Sequence, residues 1–478
     1  MRRIKLAVVA LLFLLGTGPS RAGDPGKPII QNPARLQQHY ADLLEWNRES
    51  LAGAYDRVGK KDPKWDKQAR EALDLIARRF SQQVDPIITI GAIDAQLKAA
   101  MDAGCDDPLI LYFHVRSSAD IADPGPPEFE RRMKVASTAM VASAYPPIRR
   151  AVAIEKYEQS RTDLENLSPE ERKEAARSID DAIALFPRSF AEDKPSEPWA
   201  ASWYETILWA INGHRKLGGD AVAAAERVDA QLAKIPEAKA LRLQARGRFL
   251  IDHAWEARGT GFSNAVGEEN FRKFEERMAE ARKVLKQAWD TKPGDGRTAN
   301  LMLYVEKGIG GGDRVAMETW FSRAIEANGN DQDACWSKLD WLDPKWYGNL
   351  EDMLAFGKAC RETKNWRSGI TLLIGEAHLR ARIGLSGEAG AAYLKTPEVW
   401  GDIRAVSEEY LTHFPDDPTA RSKYAALCYL CAHYDEAHKQ FQVIGDKLVG
   451  NFNFPVPVLE RMRADAAVRV ASVPGKKP

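Results

Sequence analysis

The chain has 478 residues, and its 68 basic residues balance 68 acidic ones. A chain without excess positive charge has no basic field to attract nucleic acid, which argues against that class of partner. Its five cysteines are an odd number and far below the density of a disulfide-built scaffold, so apolar burial must hold the fold. This length suits two or more compact domains or one long solenoid.

The first 22 residues have the composition of a secretory signal peptide. Arg2, Arg3 and Lys5 precede an apolar run over residues 6–15, and Ala22 supplies a small residue for cleavage. The run is shorter than the roughly 20 residues of a membrane-spanning helix, which argues against the alternative, an uncleaved anchor. We therefore expect an exported protein, periplasmic or extracellular, with no membrane segment after cleavage and with 64 basic and 68 acidic residues.

Helical patterns follow one another through an N-terminal helical region, residues 23–190. Pro33 and Pro63 suit the first turn of a helix, and Ser168 with Glu171 forms a capping box. A short apolar helix is predicted after Pro108, and a loop over residues 120–127. The other predicted helices cover residues 33–59, 63–83, 92–103, 128–144 and 147–161, with one more beginning at 169.

A proline- and charge-rich segment over residues 187–198 marks the main predicted boundary. Residues 198–450 are predicted to form a helical-repeat region, and residues 451–478 a C-terminal helix and a flexible tail. Two Gly-Gly-Asp turns, at 218–220 and 311–313, are each expected to end one helix at glycine and cap the next at aspartate.

The clearest helical pattern lies over residues 312–366, which predict three short helices in a row. Trp320 belongs to the apolar stripe of the first and is expected to be buried. Asn328-Gly329 is predicted to end that helix through a left-handed glycine. Asn330 or Asp331 then caps the second helix, and Asn349 begins the third.

Residues 421–446 resemble the tetratricopeptide pattern of paired helices. Small residues stand at Ala425 and Ala437, with Tyr434 at the turn. Ala281 and Ala316 are 35 positions apart, near the period of about 34 expected of such repeats. Other spacings do not hold, so the repeats are degenerate. The sequence predicts an all-α fold, a tetratricopeptide-like helical-hairpin solenoid with degenerate repeats, and the alternative is an irregular all-helical fold.

Three segments are also similar to a family of exported bacterial proteins that carry a domain of unknown function. They are 252–259 (DHAWEARG), 344–348 (PKWYG) and 397–403 (PEVWGDI). The resemblance covers roughly residues 200–448 and implies a helical-repeat fold, with no activity attached to it.

Two motifs invite a chemical interpretation that their surroundings do not support. Cys428 and Cys431 form a CxxC without a second pair of zinc-ligand spacing or a preceding strand, so we predict core thiols. Residues 308–312 are glycine-rich but lack the Gly-Lys-Ser/Thr ending of a phosphate loop, so we predict a hairpin turn. The sequence thus predicts no catalytic residue, no metal and no cofactor.

The thirteen tryptophans are the unusual feature of the composition. Most are expected to fill space between helices, as aromatic residues on a helix stripe do. Trp255 and Arg258 precede a glycine-rich loop, and Trp346 lies in a turn, so these three form a candidate interaction surface. For Trp346 an anchoring role over its hairpin is favoured over an exposed contact.

The function best supported by the sequence is an exported, non-enzymatic scaffold whose concave face binds another exported protein or peptide. The alternative is a glycan- or peptidoglycan-acting enzyme on a helical toroid with inward-facing acids and tryptophans. Two carboxylates facing each other in an aromatic cleft would favour the enzyme, and a broad groove would favour binding. The identity of the partner and the oligomeric state do not follow from the sequence.

Overall fold

The computed structural model describes residues 27, 29, 32–81, 88–161, 167–193, 195–259, 266–309 and 311–472. The regular structure in these residues is helical and no strand occurs among them, so the predicted all-α class is confirmed. The predicted signal peptide and the end of the predicted tail, residues 473–478, lie outside the described residues. Within the described ranges no helix has both the length and the apolar character to cross a membrane.

The N-terminal region is built of short helices joined by tight turns. A π-helical stretch, Glu49–Gly53, joins the first two, so the predicted helix over 33–59 continues with one change of winding. In chain order the helices are α1 Pro33–Arg48, α2 Ala54–Val58, α3 Asp66–Phe80, α4 Ile90–Asp102, α5 Pro108–Ile121, α6 Pro126–Ala142, α7 Pro147–Ser160, α8 Pro169–Ala184 and α9 Phe186–Glu192.

Two local predictions in this region are wrong, and one is confirmed. Pro63 lies in a turn before α3 and is not a first-turn proline. The loop over 120–127 is shorter than predicted, because Pro126 already occupies the first position of α6, where a missing N–H costs no hydrogen bond. The capping box is present, with the Ser168 hydroxyl accepting from the backbone N–H of Glu171 at 3.2 Å.

The second half of the chain continues as longer helical hairpins. Its helices are α10 Glu197–Lys216, α11 Ala221–Leu232, α12 Lys239–Arg258, α13 Glu268–Thr291, α14 Gly296–Ile309, α15 Arg314–Ala327, α16 Gln332–Leu342, α17 Leu350–Glu362, α18 Leu373–Leu385, α19 Gly387–Leu394, α20 Pro397–His413, α21 Pro418–Leu430, α22 Tyr434–Ile444 and α23 Val456–Ala471. Short 3₁₀ turns occur at Pro236–Ala238, Trp366–Ser368 and Ile370–Leu372.

Most of these helices begin where the sequence predicts. The side chains of Asp220, Asp313, Asp331 and Asn349 each cap the following helix by accepting from its first backbone N–H groups. The predicted end of α15 has a different cause. Asn328 is extended, with φ −141°, and Gly329 is not left-handed. The Asn328 side chain instead accepts from the N–H of Asn330 at 3.0 Å, an Asx turn that needs no glycine conformation.

From α10 onward each helix contacts the next along the chain, and several contact the next but one, including α10 with α12, α12 with α14 and α14 with α16. Short connections make such neighbours antiparallel. The packing between α12 and α13 is close, because a Cβ added at Gly247 would lie 2.5 Å from Leu285 Cδ2. Trp320 is buried between hairpins, 5.3 Å from the Trp289 ring, as predicted. The tetratricopeptide-like helical-hairpin architecture is therefore confirmed.

The largest apolar core runs from Ile148 to Ala381 and so passes through the segment predicted as the main boundary. A second core lies in the N-terminal helices and a third around α20–α23. The division at residues 187–198 stays a prediction.

The N-terminal helices also contact the far end of the chain. Arg79 pairs with Asp416 at 3.4 Å, and the same carboxylate accepts from the N–H of Ile90 at 3.2 Å. Lys447 donates to the carbonyl of Asp120 at 3.1 Å. The array therefore curls far enough for its last hairpins to meet the first helices.

Candidate functional site: the groove beside the first helix

Helix α1 lies against the array and is held there by polar contacts. The Arg35 guanidinium donates to the carbonyl of Glu326 at 2.9 Å. The Tyr40 hydroxyl donates to Asn330 Oδ1 at 2.6 Å, and the Arg367 guanidinium lies 3.2 Å from the centroid of its ring. Tyr40 is buried, and this burial raises its pKa to about 12. These contacts fix one face of α1 opposite the helices of the array.

Two cavities adjoin along this face, and together we name them the α1 groove. The first, of about 890 Å³, lies between α1, the α6–α7 turn and the α9–α10 turn. The second, of about 590 Å³, lies between α1 and helices α10, α12, α14 and α16. Glu197 and Pro198 line both cavities, so the two adjoin at the start of α10.

The array side of the second cavity carries carboxylates. Glu205 projects from α10, and Asp331 and Asp333 lie at the start of α16. Asp331 Oδ1 accepts from the N–H of Ala334 at 2.8 Å and from the Asn300 side-chain amide at 3.1 Å. Burial nevertheless raises the pKa of Asp331 to about 7, and burial also raises the pKa of Glu205. Asp331 thus occupies a poorly solvated position, whereas Glu205 and Asp333 present exposed side chains to the cavity.

Each lysine and arginine that lines the second cavity forms an ion pair within the chain. The Arg248 Nε–H is shared between the two carboxylate oxygens of Asp252, each 3.0 Å away. Arg297 lies 4.8 Å from the centroid of the Tyr204 ring and 3.6 Å from Glu197, which also pairs with Lys292 at 2.7 Å. These ion pairs hold the side chains that form the walls of the groove.

The first cavity has a buried guanidinium behind its wall. The π-helical turn presents the Ser50 hydroxyl to Arg149, which donates to it at 2.6 Å and to Asn47 Oδ1 at 2.9 Å. The guanidinium also lies 4.5 Å from the centroid of the Trp46 ring. Burial lowers the pKa of Arg149 to about 10. The arginine thereby fixes Trp46 and Ser50 on the wall of the cavity.

The structure brings together the three residues of the predicted interaction surface, at a place away from the α1 groove. The Trp255 and Trp346 rings meet edge to face with centroids 5.7 Å apart, and the Arg258 guanidinium lies 5.5 Å from the Trp255 centroid. The Lys307 ammonium lies 5.3 Å from the Trp255 centroid and 5.1 Å from the Trp346 centroid. A cation of the chain itself therefore lies against both tryptophan rings.

Lys307 is held in that position by Asp340, with which it forms an ion pair, and its backbone carbonyl accepts from the Tyr347 hydroxyl at 3.0 Å. Its side chain is only 13% exposed. Both tryptophans are half-buried. The cluster ties the end of α12 to the α16–α17 turn, which favours the anchoring role of Trp346.

The two motifs examined in the sequence have ordinary places in the fold. Cys428 and Cys431 are buried thiols at the end of α21, and burial raises the pKa of Cys431 to about 12. Gly311 and Gly312 form a turn between the end of α14 and the start of α15, as the predicted hairpin turn requires, and residue 310 lies outside the described residues. No cluster of three or more His, Cys, Asp or Glu suited to a metal ion occurs in the described part of the chain.

The sequence missed the α1 groove entirely. Its carboxylates lie on α1, α10 and α16, which are far apart along the chain, and none belongs to a motif. One signal was available, because Asp331 and Asp333 lie at a predicted helix start. Helix capping was, however, a sufficient reason for aspartates at that place. Lys307 was missed because no local pattern shows that its ammonium lies against the rings of Trp255 and Trp346, which are far from it in the sequence.

The fold and the groove together define the class: an all-helical repeat protein with an internal polar groove. No family model and no curated protein matches the chain, so the resemblance to the exported bacterial family stays a prediction. Among solved structures, the chain is similar to one in "Structure of Naa15/Naa10 bound to HypK-THB". The identity is 13%, the match covers 91% of this chain and 73% of that chain, and the TM-score is 0.23. A TM-score this low carries no argument about function.

Proposed function

We propose that this protein is an exported, non-enzymatic scaffold that binds an extended segment of another exported protein in the α1 groove. The observation that carries the proposal is the groove itself, which consists of two adjoining cavities between α1 and the stacked hairpins. Helical-repeat proteins commonly use the inner surface of the array to hold such segments.

The polar groups in the groove support binding more than chemistry. Asp331 is used as a helix cap, and Arg248 and Arg297 are paired within the chain. Groups that are already hydrogen-bonded or paired in this way hold the walls of the groove in position. The groups that remain available to a ligand are carboxylates and aromatic side chains.

Export is part of the proposal and rests on the signal-peptide pattern of residues 1–22. N-terminal sequencing of the protein recovered from the exported fraction should give Gly-Asp-Pro-Gly, the sequence that follows Ala22. Recovery of the intact N-terminus in a membrane fraction would contradict this part.

The binding site is tested by filling the groove. Ala201 lines the second cavity on α10, so Ala201→Trp should block it, and Val443→Trp, on an exposed position of α22, is the matched control. We expect a crosslinked pull-down from the exported fraction to lose its partner with Ala201→Trp only, while both variants melt like the wild type. A partner that survives Ala201→Trp would refute the α1 groove as the site.

A further inference from the structure

The α1 groove is much more acidic than the chain that forms it. Ten carboxylates and four basic side chains line its two cavities, whereas acids and bases are equal in number over the whole sequence. The carboxylates come from four separate places in the chain: α1, the α9–α10 turn with α10, the turn before α14, and the start of α16. Their convergence is a product of the fold.

The pairing of these charges is unequal. Each of the four basic residues has a carboxylate partner in the chain: Arg57 with Glu49, Arg248 with Asp252, and Lys292 and Arg297 both with Glu197. Six of the ten acids, by contrast, form no ion pair with any described residue. They are Asp42, Glu45, Asp193, Glu205, Asp331 and Asp333.

Partial desolvation makes three of these carboxylates more costly to keep ionised. It raises the pKa of Asp193 and of Glu205, as it does that of Asp331. A cation entering the groove would relieve this cost, since an opposite charge favours the ionised carboxylate. The groove is therefore electrostatically complementary to a positively charged ligand.

A neutral atom on the same wall points to a ligand with hydrogen-bond donors. The side-chain oxygen of Asn300 is buried and accepts no hydrogen bond from any described residue, while its amide nitrogen donates to Asp331. Leaving a buried acceptor unpaired costs free energy, which adds to the cost of the partly desolvated carboxylates on this wall. Tyr204 and Tyr304 lie beside it and offer apolar surface for alkyl chains.

We propose that the segment bound in the α1 groove is an extended basic peptide, whose lysine or arginine side chains meet the unpaired carboxylates. This inference rests on the proposed function and names the partner's chemistry. Two adjoining cavities favour an extended chain over one compact ligand, and peptide N–H groups together with charged side chains supply the donors that the walls lack.

The test uses the purified mature chain and a fluorescent ten-residue peptide of alternating lysine and glycine, measured by anisotropy. An equally long peptide of alternating glutamate and glycine is the comparison. We expect the lysine peptide to bind and to weaken between about 50 mM and about 300 mM salt, because screening acts on charge pairs. Glu205→Gln combined with Asp333→Asn should weaken binding by about tenfold or more.

The matched control removes two charges outside the groove. Glu388 and Glu409 are exposed and form no ion pair in the described chain, so Glu388→Gln with Glu409→Gln should leave affinity unchanged. If the groove variant fails to melt like the wild type, Asp42→Asn with Glu45→Gln on α1 replaces it, with the same expectation.

Equal binding of the lysine and glutamate peptides would overturn the inference, and so would an equal effect of the groove and control variants on affinity. Displacement of the labelled peptide by spermidine at the same concentration as by unlabelled peptide would also overturn it. A partner lost on Ala201→Trp but carrying an acidic or neutral bound segment would also refute the basic ligand, and would leave the proposed function standing. The proposed function itself would be refuted only if no partner depended on the groove.

Discussion

Replacing Trp346 by alanine tests whether this residue anchors the fold or belongs to an interaction surface. The substitution removes the edge-to-face pairing with Trp255 and the contact of the ring with the Lys307 ammonium. Aromatic pairs contribute about 0.5–1.5 kcal/mol beyond their buried area. A partly desolvated cation over a ring contributes about 0.5–2 kcal/mol. Together the two contacts predict a loss of about 1–3.5 kcal/mol in the free energy of unfolding.

The measurement is urea unfolding followed by circular dichroism, with a double-mutant cycle to isolate the pair. Trp255→Ala, Trp346→Ala and the double variant should show a coupling energy of about 0.5–1.5 kcal/mol, because the two rings are in contact. Val443→Ala, at a position 60% exposed on α22, is the control and should stay within about 0.5 kcal/mol of the wild type. Unchanged stability in Trp346→Ala together with loss of a captured partner would refute the anchoring role.

Three further predictions follow from buried side chains. Trp320→Ala should cost about 3–5 kcal/mol and lower the melting temperature more than Trp346→Ala does, because this residue is only 8% exposed. A smaller effect than at Trp346 would contradict the packing. Tyr40→Phe keeps the ring beside Arg367 but loses the hydrogen bond to Asn330, so unfolding should become easier by about 0.5–1.5 kcal/mol, and faster proteolysis within α1 should accompany it. The raised pKa of Asp331, about 7, means that the folded protein binds a proton there which the unfolded chain, with its ordinary lower pKa, has already lost. The contribution of this group to the free energy of unfolding therefore rises as pH falls from about 8 to about 5. Asp331→Asn keeps the helix cap and should flatten this pH dependence, measured by urea titrations at several pH values. An unchanged pH dependence would contradict the assignment.

The fold was predictable because its helices carry their own start and stop signals. Asp313, Asp331 and Asn349 cap their helices as predicted, and the stripe of Trp320 is buried. These signals depend on neighbours within one or two turns, which a single sequence contains. The mechanism of a stop was less predictable: Asn328 and Gly329 do end a helix, but through an Asx turn.

The site was predictable only in part, because its groups meet through long-range packing. Trp255 and Trp346 could be selected as unusual tryptophans, but the lysine that lies against both rings comes from the end of α14. The α1 groove depends on a contact between Tyr40 and Asn330, almost 300 positions apart. No periodicity within either helix determines that contact.

The central claim, that a partner segment lies in the α1 groove, is tested most directly by hydrogen–deuterium exchange with and without the lysine–glycine peptide. We expect slower exchange in α1 and at the start of α16, the two elements that face each other across the second cavity. Exchange in the α16–α17 turn around Trp346 should not change. Protection confined to that turn, with none in α1 or at the start of α16, would contradict the account.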